Sequence, residues 1–481
     1  MRKTTGRIMR RALFVSTCVV GLGACAAGPD YRPPAPLPEA SAGPFVSAAP
    51  GTSAEQPQGR WWRLYDDPAL DSLIGKALVA NTDLRVAAAN LARAQAVLRE
   101  SHSGRLPSTD LSGGASYGDG SGVAGQGSGK EQWSYTGGMG ISWEVDLFGR
   151  ITRSIEAARA DRDATAAARD RVAVIVAAET ARAYTGACVL AESGAVARES
   201  IAIAQRGLEI VTTQQRVGTA SRLDVERAAA ALANARAALP PLEGARQYAL
   251  FELAALMGLP PAQVPEEARR CTRMPQPVSP IPVGDGQGLI ARRPDVREAE
   301  RQLAADTARI GVATADLYPR IALGGSGNFF RNDQVKGSDS FSFSFGPLLS
   351  WSFPNIAVAR ARIAQAEAGA QASLARFDGA VLTALKEVEQ ALTMVAAEAA
   401  RREALADAAN RASTAYDLAN RRYRAGSLSF LELLDTQRTL LDARATLASA
   451  DRTLGSARID LFKALGGGWQ DIAPLSPAPT E

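Results

Sequence analysis

Residues 133–147 read WSYTGGMGISWEVDL, and the large apolar side chains among them all fall on odd numbers. Trp133, Tyr135, Met139, Ile141, Trp143, Val145 and Leu147 alternate with Ser134, Thr136, Ser142, Glu144 and Asp146. A period of two residues predicts a β-strand with one apolar face. A second stretch repeats the pattern: Phe341, Phe343, Phe345, Leu349, Trp351 and Phe353 alternate with Ser342, Ser344, Ser350 and Ser352. Each has a weaker, glycine-rich partner upstream, Leu111 to Tyr117 and Ile321 to Phe329, across polar, flexible connections. Two β-hairpins follow, about 108–147 and 320–353.

An aromatic face opposite a Ser/Gly face suits the wall of a membrane barrel, apolar toward lipid and polar toward a water-filled lumen. A half-buried soluble sheet has the same period, and the long aromatic strands and the anchor signal described below weigh against it. Two hairpins supply four strands, and open sheet edges are not tolerated in lipid. Several copies must therefore combine, and a trimer would close twelve strands.

The hairpins sit inside a tandem duplication. A shift of 212 lays Arg85 on Arg297, Leu91 on Leu303, Pro107 on Pro319, Leu111 on Leu323 and Gly113 on Gly325. A shift of 208 lays Trp143 on Trp351, Glu179 on Glu387, Gly218 on Gly426, Leu223 on Leu431, Arg236 on Arg444 and Gly258 on Gly466. The expected division is a signal segment 1–24, a lipid-anchored tether 25–60, a first copy 61–258, a linker 259–290, a second copy 291–466 and a tail 467–481. Each copy reads as a helix, a hairpin and long helices that reverse once.

Leu433, Leu440, Leu447, Leu454 and Leu461 recur every seven residues, with Thr436, Ala443, Ala450, Ala457 and Ala464 three residues after each. Copy one carries the series Val225, Leu232, Leu239, Arg246 and Leu253. Heptads with small residues at one seam position predict closely packed, left-handed coiled helices. The preceding helices, about 150–215 and 357–424, would reach roughly 95 Å at 1.5 Å per residue.

The N-terminus has Arg2, Lys3, Arg7, Arg10 and Arg11 before a short apolar run ending in Leu22-Gly23-Ala24-Cys25. That is a secretory signal, too short to span a bilayer, with a lipoprotein box that makes Cys25 the acylated first residue. Losing those five cations moves the formal charge from +4 to −1, which argues against a nucleic-acid partner. Cys18 leaves with the signal, and whether Cys188 pairs with Cys271 is open. His102 is the only histidine, so a zinc cluster or a Ser-His-Asp arrangement has little to build on, and no glycine-rich segment ends as a phosphate loop does. Arg292-Arg293 reads as an ion-pair site at a helix start, and Trp61-Trp62 as an anchor against the helices.

Several stretches resemble one family in order and spacing: Cys25-Ala26-Ala27-Gly28-Pro29-Asp30-Tyr31-Arg32-Pro33-Pro34, Ser142 to Arg150, Arg292-Arg293-Pro294-Asp295-Val296, and the two turns Arg216 to Val225 and Tyr423 to Asp435. The chain resembles the outer membrane factor family, the TolC and OprM proteins, in the lipoprotein branch serving resistance-nodulation-division (RND) efflux pumps, the NodT subfamily. The resemblance implies a mainly α fold with a membrane β-barrel: a homotrimer with twelve strands in the outer membrane and a periplasmic α-helical barrel. It implies an exit duct for drugs or other small molecules, fed by a periplasmic adaptor (membrane fusion) protein and an inner-membrane RND-type pump. No cofactor, metal or catalysis is implied.

Gly218 and Gly426 fall where long helices must reverse. Matched to the family, the closed periplasmic end would be held by Asp224, Tyr423, Glu432 and Asp435, and adaptor contacts would use Arg216, Gly218, Ser221, Arg424, Gly426 and Ser427. Each acid repeated around a threefold axis makes a ring that attracts cations. Some relatives place an arginine where this chain has Leu428, so Arg222 and Arg424 are the candidate latch cations. Two other readings are a channel for type I protein secretion and a non-conducting coiled-coil envelope lipoprotein.

Overall fold

The computed structural model describes residues 26–34, 43–119, 131–353 and 356–470. The signal segment, Cys25 and the last residues of the tail lie outside the described residues. In chain order the elements are β1 (Thr52–Ser53), α1 (Pro68–Ala80), α2 (Thr82–Ser103), β2 (Ser108–Asp119), β3 (Glu131–Val145), α3 (Arg150–Arg216), α4 (Arg222–Ala237), α5 (Leu239–Leu256), α6 (Glu266–Arg269), β4 (Ile281–Pro282), α7 (Gly286–Arg292), α8 (Pro294–Ala315), β5 (Arg320–Arg331), β6 (Phe341–Ser350), α9 (Ile356–Arg424) and α10 (Phe430–Ala464). They form two compact units, the first holding residues to 34, 91–165 and 298–377, the second holding the remainder.

The first unit is organised by a four-stranded antiparallel sheet in the order β2-β3-β5-β6. Its register keeps parity. Leu111 pairs with Met139, Met139 with Gly327, and Gly327 with Phe343. Every odd residue of the four strands therefore lies on one face and every even residue on the other. The odd face carries Leu111, Tyr117, Trp133, Met139, Ile141, Trp143, Phe341, Phe343 and Phe345, all exposed, Phe343 at 91%. The even face carries Ser112, Ser134, Thr136, Ser142, Ser326, Asn328, Ser342 and Ser344. At the helical rim the indoles of Trp143 and Trp351 donate to the carbonyls of Arg105 (2.9 Å) and Leu317 (3.3 Å), and Phe148 stacks on Tyr318 at 4.5 Å.

The second unit is helical and has the larger core. Trp61 is buried and stacks on Phe462 at 4.4 Å, and the Trp62 indole donates to Asp71 at 2.7 Å. Arg293 is buried and bonds Asp295, Glu387 and the Ala464 carbonyl, so the ion-pair site expected of Arg292-Arg293 is built by Arg293 alone. Burial against few counter-charges holds Arg292 down at about 10, and its guanidinium is spent on the Leu465 and Val283 carbonyls. One window of α3 is apolar enough to cross a membrane, and 72% of it is buried in the protein, which makes it a packed helix.

Three features depart from the sequence expectations. The copy-one return helix is broken at Ala238, because Pro240 and Pro241 lack the N–H groups that would continue the ladder, and α5 starts with them in its first turn. Arg246, a misfit in its apolar heptad series, donates instead to the carbonyls of Arg269 (2.5 Å) and Cys271 (3.4 Å). The tether and the linker are also tied down: β1 pairs with β4 in parallel, and Cys188 is disulfide-bonded to Cys271.

Candidate functional site

Both helix reversals lie in the second unit, and both are built from the same bonds. In the first, Gly218 adopts φ +81°, the Thr219 N–H donates to the Gln214 carbonyl (2.9 Å) and the Gly218 N–H to that of Gln215 (3.1 Å). In the second, Gly426 adopts φ +73°, Ser427 donates to Arg422 (3.0 Å) and Gly426 to Tyr423 (3.0 Å). This is the Schellman closure, which satisfies the last carbonyls of a helix through a left-handed residue. The hydroxyls of Thr219 and Ser427 each add a 3.1 Å bond to the same carbonyl.

Three residues past each glycine the next helix begins with a capping box. Ser221 Oγ accepts from the Asp224 N–H at 3.2 Å, and the Asp224 carboxylate accepts from the Ser221 N–H at 3.2 Å. Ser429 and Glu432 repeat this at 3.2 and 3.0 Å. Two of the family-matched gate acids are thus committed to capping the start of a helix. Their hydrogen bonds to Ser221 and Ser429 hold both carboxyl groups below the usual carboxylate range. The sequence signal was available: Ser-x-x-Asp and Ser-x-x-Glu are legible as capping boxes, although in one dimension such an acid looks like any other exposed one.

Tyr423 is buried beneath its turn. Its hydroxyl donates to Gln214 Oε1 and its ring lies 5.9 Å from Phe430, with Ala419 and Leu433 completing a small core against Ile210, Tyr416 and Leu428. Burial raises its pKa, and the nearby Asp224 charge adds to the rise. Leu428 thus belongs to a tip core and supplies no charge. Asp435 is exposed, and among the described residues its carboxylate makes no ion pair. Of the latch candidates, Arg222 sits 3.9 Å from Glu226, while Arg424 is exposed. Of the adaptor-contact candidates, Arg216 is exposed, and Ser221 and Ser427 have their hydroxyls turned into the caps. Val217, Leu223 and Leu431 add exposed apolar surface that the sequence reading did not single out.

The arrangement offers recognition and charge, and no cluster of His, Cys, Asp and Glu able to hold a metal ion occurs among the described residues. The family model described as "Outer membrane efflux protein" matches residues 73–259 and 286–467. The pyoverdine export outer membrane protein OpmQ of Pseudomonas aeruginosa is 30% identical over 475 residues, covering 96% of this chain and 98% of its own. The probable outer membrane lipoprotein SilC of Salmonella typhimurium is 28% identical, covering 95% and 99%. The solved structure of the outer-membrane channel OprN superposes with a TM-score of 0.84 at 33% identity, covering 93% of this chain and all of that one.

Proposed function

The chain belongs to the outer membrane efflux protein family, and from that premise we infer that it is the outer-membrane exit channel of a tripartite efflux system. It conducts small molecules passively from an inner-membrane pump and a periplasmic adaptor to the outside, and it is not an enzyme. The observation that carries this reading is the sheet. One unbroken parity gathers the exposed aromatic and aliphatic side chains, Leu348 excepted, on a single face, with most of the hydroxyls on the other. Such an exposed apolar face suits contact with hydrocarbon.

Strands β2 and β6 each have one unpaired edge among the described residues, and lipid does not tolerate free backbone donors and acceptors. A homotrimer closing a twelve-stranded barrel satisfies both edges, with its long helices forming the periplasmic duct. Acylation of Cys25 anchors each copy, and the pump is of the RND type. The division into signal, tether, two copies, linker and tail is part of the same reading.

The two turns form the periplasmic mouth. Arg216, Gly218, Ser221, Arg424, Gly426 and Ser427 meet the adaptor there, while Asp224, Glu432, Asp435 and Tyr423 line the closed neck. Around a threefold axis each acid occurs three times, which lowers the energy of a cation and raises that of an anion at the neck. Because Asp224 and Glu432 also cap helices, their charge has to be removed without removing the cap.

The test is single-channel conductance in planar bilayers of wild type and of Asp224→Asn/Glu432→Gln/Asp435→Asn, whose amide oxygens can still accept the cap bonds. A small cation-preferring conductance that grows and loses preference in the variant supports the gated duct. Silence from both proteins as intact trimers would return the chain to the structural-lipoprotein reading.

A further inference from the structure

Residues 26–31 are held in the first unit by contacts that conduction does not require. The Ala27 N–H donates to the Phe148 carbonyl at 3.0 Å. Arg153, whose side chain is 6% exposed, donates from Nε to the Ala27 carbonyl (3.1 Å), from Nη2 to the Gly28 carbonyl (3.4 Å) and Asp30 (2.7 Å), and from Nη1 to Glu156 (2.8 Å). The Tyr31 hydroxyl bonds Glu300, and its ring packs on Ala160, Ala304 and Ala305.

Glycines let the backbones approach this closely. A Cβ on Gly149 would stand 2.7 Å from Ala26, one on Gly28 2.5 Å from Gly311 Cα, and one on Gly311 2.7 Å from Arg153 Cγ. Two of these contacts are with backbone atoms, which cannot swing aside. Part of the grip is on carbonyls of the chain itself, so it fixes where the backbone runs.

The place of the grip gives it a use. Gly149 stands between the end of β3 and the start of α3, at the rim where Trp143, Trp351, Phe148 and Tyr318 gather. Aromatic side chains of this kind settle at the membrane–water interface. Cys25 is one residue upstream of Ala26, and successive Cα atoms are about 3.8 Å apart.

We propose that the Arg153 seat registers the acylated N-terminus against the rim of the sheet, so that the acyl chains and the apolar strand face enter the membrane at a fixed offset. Arg153 is a positioning residue in this device, which rests on the outer-membrane reading above. A tethered sheet held at the right depth meets its neighbours at high effective concentration. Slack in the tether lets it wander, since three extra residues add about 10 Å, a third of a hydrocarbon core about 30 Å thick.

The experiment follows the rate at which the full-length lipidated protein becomes an SDS-resistant, heat-dissociable trimer in phosphatidylethanolamine/phosphatidylglycerol vesicles. It compares wild type, Arg153→Ala, and a Gly-Ser-Gly insertion between Cys25 and Ala26 that leaves every bond of the seat available. Each is also prepared unlipidated as Cys25→Ser. Both changes should slow trimer formation about tenfold in the lipidated protein and leave the unlipidated rate unaltered. An insertion that assembles at the wild-type rate, or an Arg153→Ala defect equally large without the lipid, overturns the proposal and leaves Arg153 as a structural strap. Failure of wild type to trimerise at all would instead count against the channel reading.

Discussion

Residues 214–224 and 422–432 close their turns with the same hydrogen bonds, atom for atom at an offset of 208, yet they enclose different chemistry. The second turn has an aromatic core of Tyr416, Tyr423 and Phe430 with Leu433. Their copy-one counterparts are Leu208, Gln215, Arg222 and Val225, and the shell there carries Arg216, Arg222, Glu226 and Arg227. Backbone closure is set by glycine and the caps, so duplication preserved it. The interior was free to diverge: copy two encloses an aromatic core beneath its turn, whereas copy one has Gln215 and Arg222 at the positions of Tyr423 and Phe430.

The copies also differ away from the tips. Copy two returns through an unbroken α10, with Leu433, Leu440, Leu454 and Leu461 buried along it. Copy one returns through the broken α4 and α5 and adds the Cys188–Cys271 disulfide, where copy two has Ala396 at the position matching Cys188. The largest expected effect follows. Cys188→Ser/Cys271→Ser frees a loop closed across 83 residues, a loss of about 4.5 kcal/mol on the chain-entropy account. Hydrogen exchange should show lost protection around residues 183–193 and 266–276, with α9 around Ala396 unchanged. Equal loss in both copies would mean that they fold as one cooperative body and that their asymmetry has no energetic consequence.

Next in size is the aromatic core. Tyr423→Ala removes a buried ring and should cost about 3 kcal/mol, read as faster exchange through 416–434. Gln215→Ala, at the exposed matching position, should fall within about 0.5 kcal/mol of wild type. If the two substitutions cost the same, the tips are energetically alike and the core of copy two is incidental. Tyr423→Phe separates the ring from its hydroxyl: it loses the bond to Gln214 and should cost about 1 kcal/mol.

The difference in legibility follows the same physics. Period-two strands announce themselves because alternation is local, and the expected 320–353 hairpin is found as β5 and β6. Helix ends at 216 and 424 were legible because glycine marks a reversal. The break at Ala238 was visible in Pro240-Pro241, but the heptad reading of that stretch passed over it. The disulfide and the Arg153 seat were illegible because their partners stand 83 and 126 residues apart, and no local pattern encodes such a meeting. At the tips, Asp224 and Glu432 were singled out as acids near a turn, and their work as caps emerges only when the serine bonds are seen.

Glycine substitutions sharpen the comparison from the backbone side. Nothing lies within 4 Å of a Cβ placed on Gly218 or Gly426, so the cost of Gly218→Ala or Gly426→Ala is the left-handed backbone alone, about 1–2 kcal/mol at each. The two values should agree, since the dihedrals do, and exchange at 214–221 and 422–429 measures them. A much larger cost at Gly426 would show that the aromatic core constrains its turn, and that closure and interior are coupled.

The smallest effect concerns the caps, and it carries a sign. Ser221→Ala and Ser429→Ala should each cost about 1 kcal/mol. The carboxylates that reciprocate are held below their ordinary values by those serines. Their contribution is therefore fully present above the ordinary carboxylate range and is lost as pH falls through the lowered values. Exchange normalised to intrinsic rates should show both tips loosening as pH falls below the ordinary carboxylate range, and the serine variants should lose that dependence. Tip one should loosen alone at first, because tip two retains the ring of Tyr423 beneath its turn when the cap is gone. If both tips open together, the caps carry both turns and the aromatic core adds little. If neither opens, acid reaches the duct elsewhere, and Asp435, the gate candidate whose carboxylate serves no cap, becomes the one to neutralise first.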